Sequence, residues 1–223
     1  MGPAQVKAAP HIAALFAKGA VAYQTHDTFT ADSLLPQERQ YLLKAVPKRV
    51  HEFAGGRACA RAGLAQLGCG AVALPMGTDR APVWPAGYTG SITHTAGFCA
   101  AVVALARNIR ALGLDTEPEN SVKPELWTRI LIPTELATLH SQDDLTALQT
   151  ATLIFSAKEA FYKCQYPLTG EWLGFEDLGV TIESNSFTVR PTRPLQTANL
   201  SPGPWHGRYV HEAGFVTTGI CII

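Results

Sequence analysis

The chain carries no surplus of charge. Its 18 Lys and Arg are balanced by 18 Asp and Glu across 223 residues. No overall field therefore draws it to nucleic acid or to an anionic membrane, and electrostatic binding has to come from local clusters. It has no apolar run long enough to span a bilayer. The apolar stretch 12–23 is interrupted by Lys18 and Gly19 and is not led by a basic segment, so no secretory leader is expected. Position 6 is Val rather than Ser or Thr, so the Met1-Gly2 start is not expected to be myristoylated. The cysteines are Cys59, Cys69, Cys99, Cys164 and Cys221: odd in number, scattered, with no CxxC pair. That pattern argues against a disulfide framework or a thiolate zinc site and for reduced thiols in a cytoplasmic protein. Charged residues are only 16% and hydrophobic residues 47%, the balance of a compact globular protein. The length suits one large domain or two small ones.

One absence is local. No Gly or Pro falls between Thr134 and Tyr166, so nothing there breaks a helix, and Asp143 or Asp144 is suited to cap it. At 3.6 residues per turn Leu148, Thr152, Phe155, Glu159 and Tyr162 share a face. That places the Glu159 carboxylate in an apolar stripe, where it needs a partner or a metal. Lys163, four residues on, is one partner, and a plain helix-stabilising Glu–Lys pair is the simpler reading.

Other segments read as follows. Ala20–Tyr23 is a first strand, and Pro36 opens a helix running toward Val46. Residues 48–67 form a helix that carries Lys48, Arg49, Arg57 and Arg61 and stops at Gly68. Arg57 and Arg61 lie on one face, either a solvated surface or a grip for anions. Residues 75–90, with Arg80 and Trp84, are a Pro- and Gly-rich loop long enough for a binding role. The segments 90–95 and 98–106 are paired strands, or a strand leading into a buried helix. Leu112 to Glu117 is a strand on which Leu112 and Leu114 face one way, Asp115 and Glu117 the other. Two carboxylates converging at a strand end repel, and a hard divalent cation relieves that; oxygen-only ligation suits magnesium. Residues 125–139 are mostly helical, with a restart at Pro133. Beyond Gly170 come two hairpins, turning at 184–186 and 212–214, with an irregular Pro-rich stretch at 191–204 between them. Phe53-x-x-x-Arg57-Ala58 and Phe155-x-x-x-Glu159-Ala160 share a spacing, which suggests two related halves.

The order of a basic helix, Gly90-Ser91-Ile92-Thr93-His94, Gly113-Leu114-Asp115-Thr116-Glu117 and Phe155-Ser156-Ala157-Lys158-Glu159-Ala160-Phe161-Tyr162-Lys163 resembles the 4′-phosphopantetheinyl transferases. In particular it resembles the larger, single-chain (surfactin-type) class that serves siderophore and antibiotic synthetases, the enterobactin synthetase component D group. Residues 52–61 and Trp84-Pro85 add to the likeness, which covers roughly residues 36–175. The strand motif and the helix motif are specific as a pair.

The resemblance implies an α+β fold with two similar subdomains related by a pseudo-two-fold axis. Each is a small, mostly antiparallel sheet packed with a long helix, and the active site lies between them. The expected boundaries are residues 1–114, carrying the basic coenzyme A helix, and 115–223, carrying the metal ligands and the catalytic helix. The implied reaction moves the phosphopantetheine arm of coenzyme A to a serine of an apo acyl or peptidyl carrier protein and releases adenosine 3′,5′-bisphosphate. Magnesium, with manganese as the alternative, is implied at Asp115, Glu117 and Glu159. Glu159 is implied as base for the carrier serine and Lys163 as the neutraliser or proton donor of the leaving phosphate. Lys158 is implied near the pyrophosphate, Arg49, Arg57 and His94 around the 3′-phosphate, and Ser91 or Thr93 in a hydroxyl contact. Met76 stands where some relatives carry lysine, with Arg80 as a compensating cation. A cytoplasmic monomer is expected, without nucleic-acid or membrane partners. The alternatives are a magnesium-dependent phosphodiesterase of coenzyme A or nucleotides and a non-catalytic carrier-binding module.

Overall fold

The computed structural model describes residues 4–195, 200 and 203–223. Its elements in chain order are β1 (Lys7–Ala8), α1 (Pro10–Ala13), β2 (Val21–Thr25), α2 (Pro36–Arg39), α3 (Pro47–Gln66), β3 (Tyr88–Thr95), β4 (Phe98–Leu105), β5 (Ala111–Pro118), α4 (Pro124–Ile130), α5 (Pro133–Leu139), α6 (Asp144–Thr169), β6 (Leu178–Ile182), β7 (Ser186–Pro191), β8 (Trp205–Glu212) and β9 (Phe215–Ile222). The fold is α+β, with two antiparallel sheets each packed by one long helix. The chain divides into two compact units, Met1–Leu112 with Ile223, and Gly113–Ile222.

In the first unit the strand order is β1-β2-β4-β3. β3 and β4 pair throughout, from Tyr88 opposite Leu105 to Thr95 opposite Phe98, so the apolar run 98–106 is a strand and not a buried helix. Helix α3 starts with Pro47 at its first turn, where the missing N–H costs nothing. It lies close on the sheet because its middle is small: a Cβ at Gly56 would come 2.7 Å from Ile92 Cγ2. Cys59, Ala60 and Leu64 of α3 pack with Leu74, Ala101 and Val103, and Phe53 and Ala54 pack with Phe29, Leu34 and Leu42. The helix expected over 36–46 is shorter than the sequence suggests. It is α-helical only to Arg39, tightens to a 3-10 turn over Gln40–Leu42, and leaves Leu43 and Val46 exposed.

In the second unit the order is β5-β9-β8-β7-β6. Both C-terminal hairpins form: β6 pairs with β7, and β8 with β9 through Ala213 and Gly214, which both take positive φ. Part of the stretch 191–204, read above as irregular, lies outside the described residues. Helix α6 is capped by Asp143, whose carboxylate accepts from the Thr146 N–H. It runs through Pro167 to Thr169, beyond the stretch free of Gly and Pro, and the Gly170 N–H closes the last turn on the Tyr166 carbonyl. Its buried stripe is Ala147, Ala151, Ile154, Ala157, Phe161 and Cys164, and Phe161 meets the Trp205 ring at 4.7 Å. Of the stripe expected through Leu148, Thr152, Phe155, Glu159 and Tyr162, Thr152 is fully buried and the other four form the half-buried flank of that face.

Among the described residues all five cysteines are free, and no helix is long and apolar enough to cross a membrane. Burial pushes the Cys59, Cys99 and Cys164 thiols well up, so they are inert packing groups.

Candidate active site

β5 and α6 bring the acidic motif residues of the second unit together. β5 packs against the α6 backbone because residue 113 is glycine: a Cβ there would fall 1.8 Å from the Ala160 carbonyl oxygen. Two residues along the strand Asp115 is buried, 4% exposed, and both of its carboxylate oxygens are engaged. Lys163 Nζ donates to Oδ1 at 2.6 Å, and Ser156 Oγ donates to Oδ2 at 2.9 Å. Lys163 also reaches the Leu114 carbonyl at 3.3 Å. The close ion pair of Lys163 is thus with Asp115 on the strand, whereas helix spacing had offered Glu159.

Glu117 and Glu159 are half-buried around this pair. Burial, then the Asp115 charge, pushes the Glu117 carboxyl up to about 7, with Glu159 adding to the push and Lys163 opposing it. Burial likewise raises Glu159, and the charges of Asp115 and Lys163 act on it in opposite directions. For Lys163 burial works against the charge, but Asp115, Glu159 and Glu117 outweigh it and hold the ammonium above its usual range. Three coupled carboxylates face one cation, an imbalance that a hard divalent ion would relieve. Among the described residues no three such side chains are gathered tightly enough to enclose an ion as they stand. The donor set nonetheless suits magnesium, which keeps several waters and asks few protein oxygens.

Ser156 is a site residue that the sequence reading missed. It is fully buried, lies 2.9 Å from Thr218 Oγ1, and its carbonyl accepts from the same hydroxyl. A hydroxyl between Phe155 and Ala157, amid apolar neighbours, was the available signal. Thr116, between the two strand acids, turns to the opposite side and pairs with Thr217 at 3.0 Å.

A pH dependence follows for the metal-free protein. Glu117 binds its proton more tightly folded than unfolded, so the folded state is favoured below the ordinary carboxylate range. That advantage is lost as pH rises through about 7. Melting temperature without metal should fall between pH 5.5 and 8, and magnesium should raise it more at pH 8 than at pH 5.5. An equal magnesium effect at both pH values would contradict the coupling.

The first unit holds a cationic group on α3. Arg49, Phe53 and Arg57 are spaced four apart, and both guanidinium groups lie over the Phe53 ring, at 5.9 and 3.9 Å from its centroid. Arg49 Nη1 is 3.1 Å from His94 Nε2. Arginine can only donate, so Nε2 accepts and the ring proton sits on Nδ1, which lies 3.6 Å from Glu52 Oε2. Arg57 is 6% exposed. Its Nε donates to the Leu74 carbonyl at 3.2 Å, and its Nη2 is buried without a protein partner. Two guanidiniums, one with a buried donor that has no protein partner, are a group whose chemistry suits a phosphate oxygen.

Several expected residues lie elsewhere. Lys158 is corrected: it is fully buried, and its Nζ gives its three hydrogen bonds to Glu135 Oε2 and the carbonyls of Ile130 and Phe175. No donor remains for a pyrophosphate. Ser91 and Thr93 are buried on the face of β3 opposite His94, so alternation along the strand does not bring their hydroxyls to the arginines. Arg80 is exposed at positive φ in the turn 77–80, and Met76 packs into the Phe53 cluster as an apolar residue. Arg61 is tied to Glu38 at 2.8 Å.

Residues 37–104 match the 4′-phosphopantetheinyl transferase N-terminal domain, and residues 111–217 match the 4′-phosphopantetheinyl transferase superfamily domain. The 4′-phosphopantetheinyl transferase Npt of Nocardia iowensis is 42% identical over 83% of this chain and 87% of its own. The 4′-phosphopantetheinyl transferase PptT of Mycobacterium tuberculosis is 37% identical over 84% of this chain and 86% of its own. Enterobactin synthase component D of Escherichia coli is 37% identical over 58% of this chain and 60% of its own.

Proposed function

The chain belongs to the 4′-phosphopantetheinyl transferase superfamily, and from that premise we propose that it moves the 4′-phosphopantetheine arm of coenzyme A to a serine of an apo carrier protein. The observation that carries the reading is the coupled cluster of Asp115, Glu117 and Glu159 around one lysine. These acids would hold magnesium, and the bound ion would supply neutralisation of pyrophosphate oxygens. Lys163 orients Asp115 and offers a fixed positive charge to the leaving phosphate. Glu159 accepts the proton of the carrier serine, directly or through water. Arg49, Arg57 and His94 hold the 3′-phosphate. Residues 1–114 thus serve coenzyme A and residues 115–223 serve the metal and the proton. The free thiols support a cytoplasmic setting, and we take the working form as a monomer.

Glu159→Gln tests the chemical assignment. The variant should lower kcat at saturating coenzyme A and magnesium, while coenzyme A binding by calorimetry is kept. Unchanged kcat at high metal would confine Glu159 to supporting the helix.

Arg57→Ala tests the phosphate grip. Charge-assisted bonds are worth about 1.5–3 kcal/mol, so kcat/KM for coenzyme A should fall roughly ten- to a hundredfold. Dephospho-coenzyme A lacks the 3′-phosphate and should lose far less. Equal losses on both substrates would remove Arg57 from the 3′-phosphate.

A further inference from the structure

Arg57 and Arg61 have the same chemistry and lie one turn apart, yet the structure uses them differently. What separates them is Glu38, a carboxylate that is 0% exposed. Oε1 of Glu38 accepts from Arg61 Nη1 and from the Leu74 N–H, both at 2.8 Å. Oε2 accepts from Arg61 Nη1 at 2.8 Å and from the Leu35 N–H at 3.0 Å. A carboxylate has about four acceptor positions, and all four are taken. Glu38 is therefore spent on Arg61 and on two backbone groups, and has none left for Arg57.

Leu74 joins the two arginines. It lies outside the helices and strands, so no ladder fixes the two peptide groups that meet at its Cα. Its N–H is held by Glu38, and its carbonyl receives Arg57 Nε at 3.2 Å. With Nε anchored and Cζ held 3.9 Å over the Phe53 ring centroid, the position of the unpartnered Nη2 is set.

We propose that Glu38 is a positioning residue for the 3′-phosphate grip: through Leu74 it aligns the Arg57 guanidinium and, by holding Arg61, it leaves Arg57 as the arginine of that pair with a buried donor that has no protein partner. The inference rests on the reading of Arg57 given above. Glu38 touches no substrate; it acts on specificity by fixing the geometry of a group that does. The Glu38 charge also favours the charged form of the Arg57 guanidinium, which burial lowers to about 10.

The test compares Glu38→Gln with the unmodified protein, on coenzyme A and on dephospho-coenzyme A. A double variant, Glu38→Gln with Arg61→Met, guards against misfolding, because it removes the Arg61 charge together with its carboxylate partner. The preference for coenzyme A, as the ratio of the two kcat/KM values, should fall about tenfold through KM, the size expected for one misaligned charge-assisted bond. kcat should change less than about twofold. By calorimetry, adenosine 3′,5′-bisphosphate should lose affinity by a similar factor while AMP, which lacks the 3′-phosphate, should not. A purely structural Glu38 would lower melting temperature and depress both substrates alike, which overturns the proposal. Arg57→Ala separates the two levels. If it collapses the preference and the folded Glu38 variants do not, the positioning role is wrong and the grip stands. If Arg57→Ala itself leaves the preference intact, the grip is wrong and this inference falls with it.

Discussion

Asp115→Asn is expected to cut carrier-protein modification by more than about a hundredfold, the scale on which removing one preorganised charge-stabilising group slows an enzyme. Asn has nearly the same volume, and its carbonyl oxygen can still accept from Ser156 Oγ, so the strand end keeps its packing. What is lost is the charge. Lys163 Nζ would face an amide where it now meets a carboxylate oxygen at 2.6 Å. Any divalent ion would have two carboxylates to bind instead of three. The cost to the fold should be smaller than for a fully buried pair, because the Lys163 side chain is 29% exposed and water can take over part of its solvation. Steady-state rates over a magnesium series, with a melting curve as control, make the check. Near-normal rates at saturating magnesium would remove Asp115 from the metal site.

Gly113→Ala should be the most damaging single methyl in the second unit. Its Cβ would sit 1.8 Å from the Ala160 oxygen and 2.8 Å from both the Ala160 carbonyl carbon and Cys164 Cβ. The first obstacle is helix backbone and cannot rotate away, so β5 must lift from α6. Overpacking of this kind belongs to the extreme tail of point mutations, above about 4 kcal/mol. Because Asp115 lies two residues from the clash and Glu159 and Lys163 flank Ala160, the loss should reach the site even in molecules that still fold. Urea denaturation measures the first effect and residual transfer the second. A stability loss under about 1 kcal/mol would mean that the strand and helix are not packed this closely.

The same contact shows what could be read in the chain beforehand. Both site elements were legible because each is local. The stretch free of Gly and Pro predicts α6, and alternation on β5 puts Asp115 and Glu117 together. The hairpins were legible from their turns. What could not be read was choice among equivalent residues, since the partner that decides lies far off in sequence. Lys158 sits beside Glu159 in the motif, but its 100° step around the helix carries it into the core to Glu135, 23 residues away. Arg57 and Arg61 cannot be distinguished by spacing; Glu38, 23 residues before Arg61, decides between them. Lys163 is in register for Glu159 on the helix, yet strand packing gives it Asp115, 48 residues away. Ser156 is invisible to periodicity because a small hydroxyl passes for a core residue until its acceptor is known.

Whether the acidic cluster of the second unit serves metal-assisted transfer of the arm from coenzyme A to protein is decided by intact mass. Apo acyl and peptidyl carrier proteins are incubated with the enzyme, coenzyme A and magnesium, with and without a chelator. The expected result is a mass gain of one phosphopantetheine on a carrier, an equal amount of adenosine 3′,5′-bisphosphate, and loss of both when the metal is removed. Release of the arm into solution with no gain on any carrier, or a gain indifferent to the chelator, would contradict it.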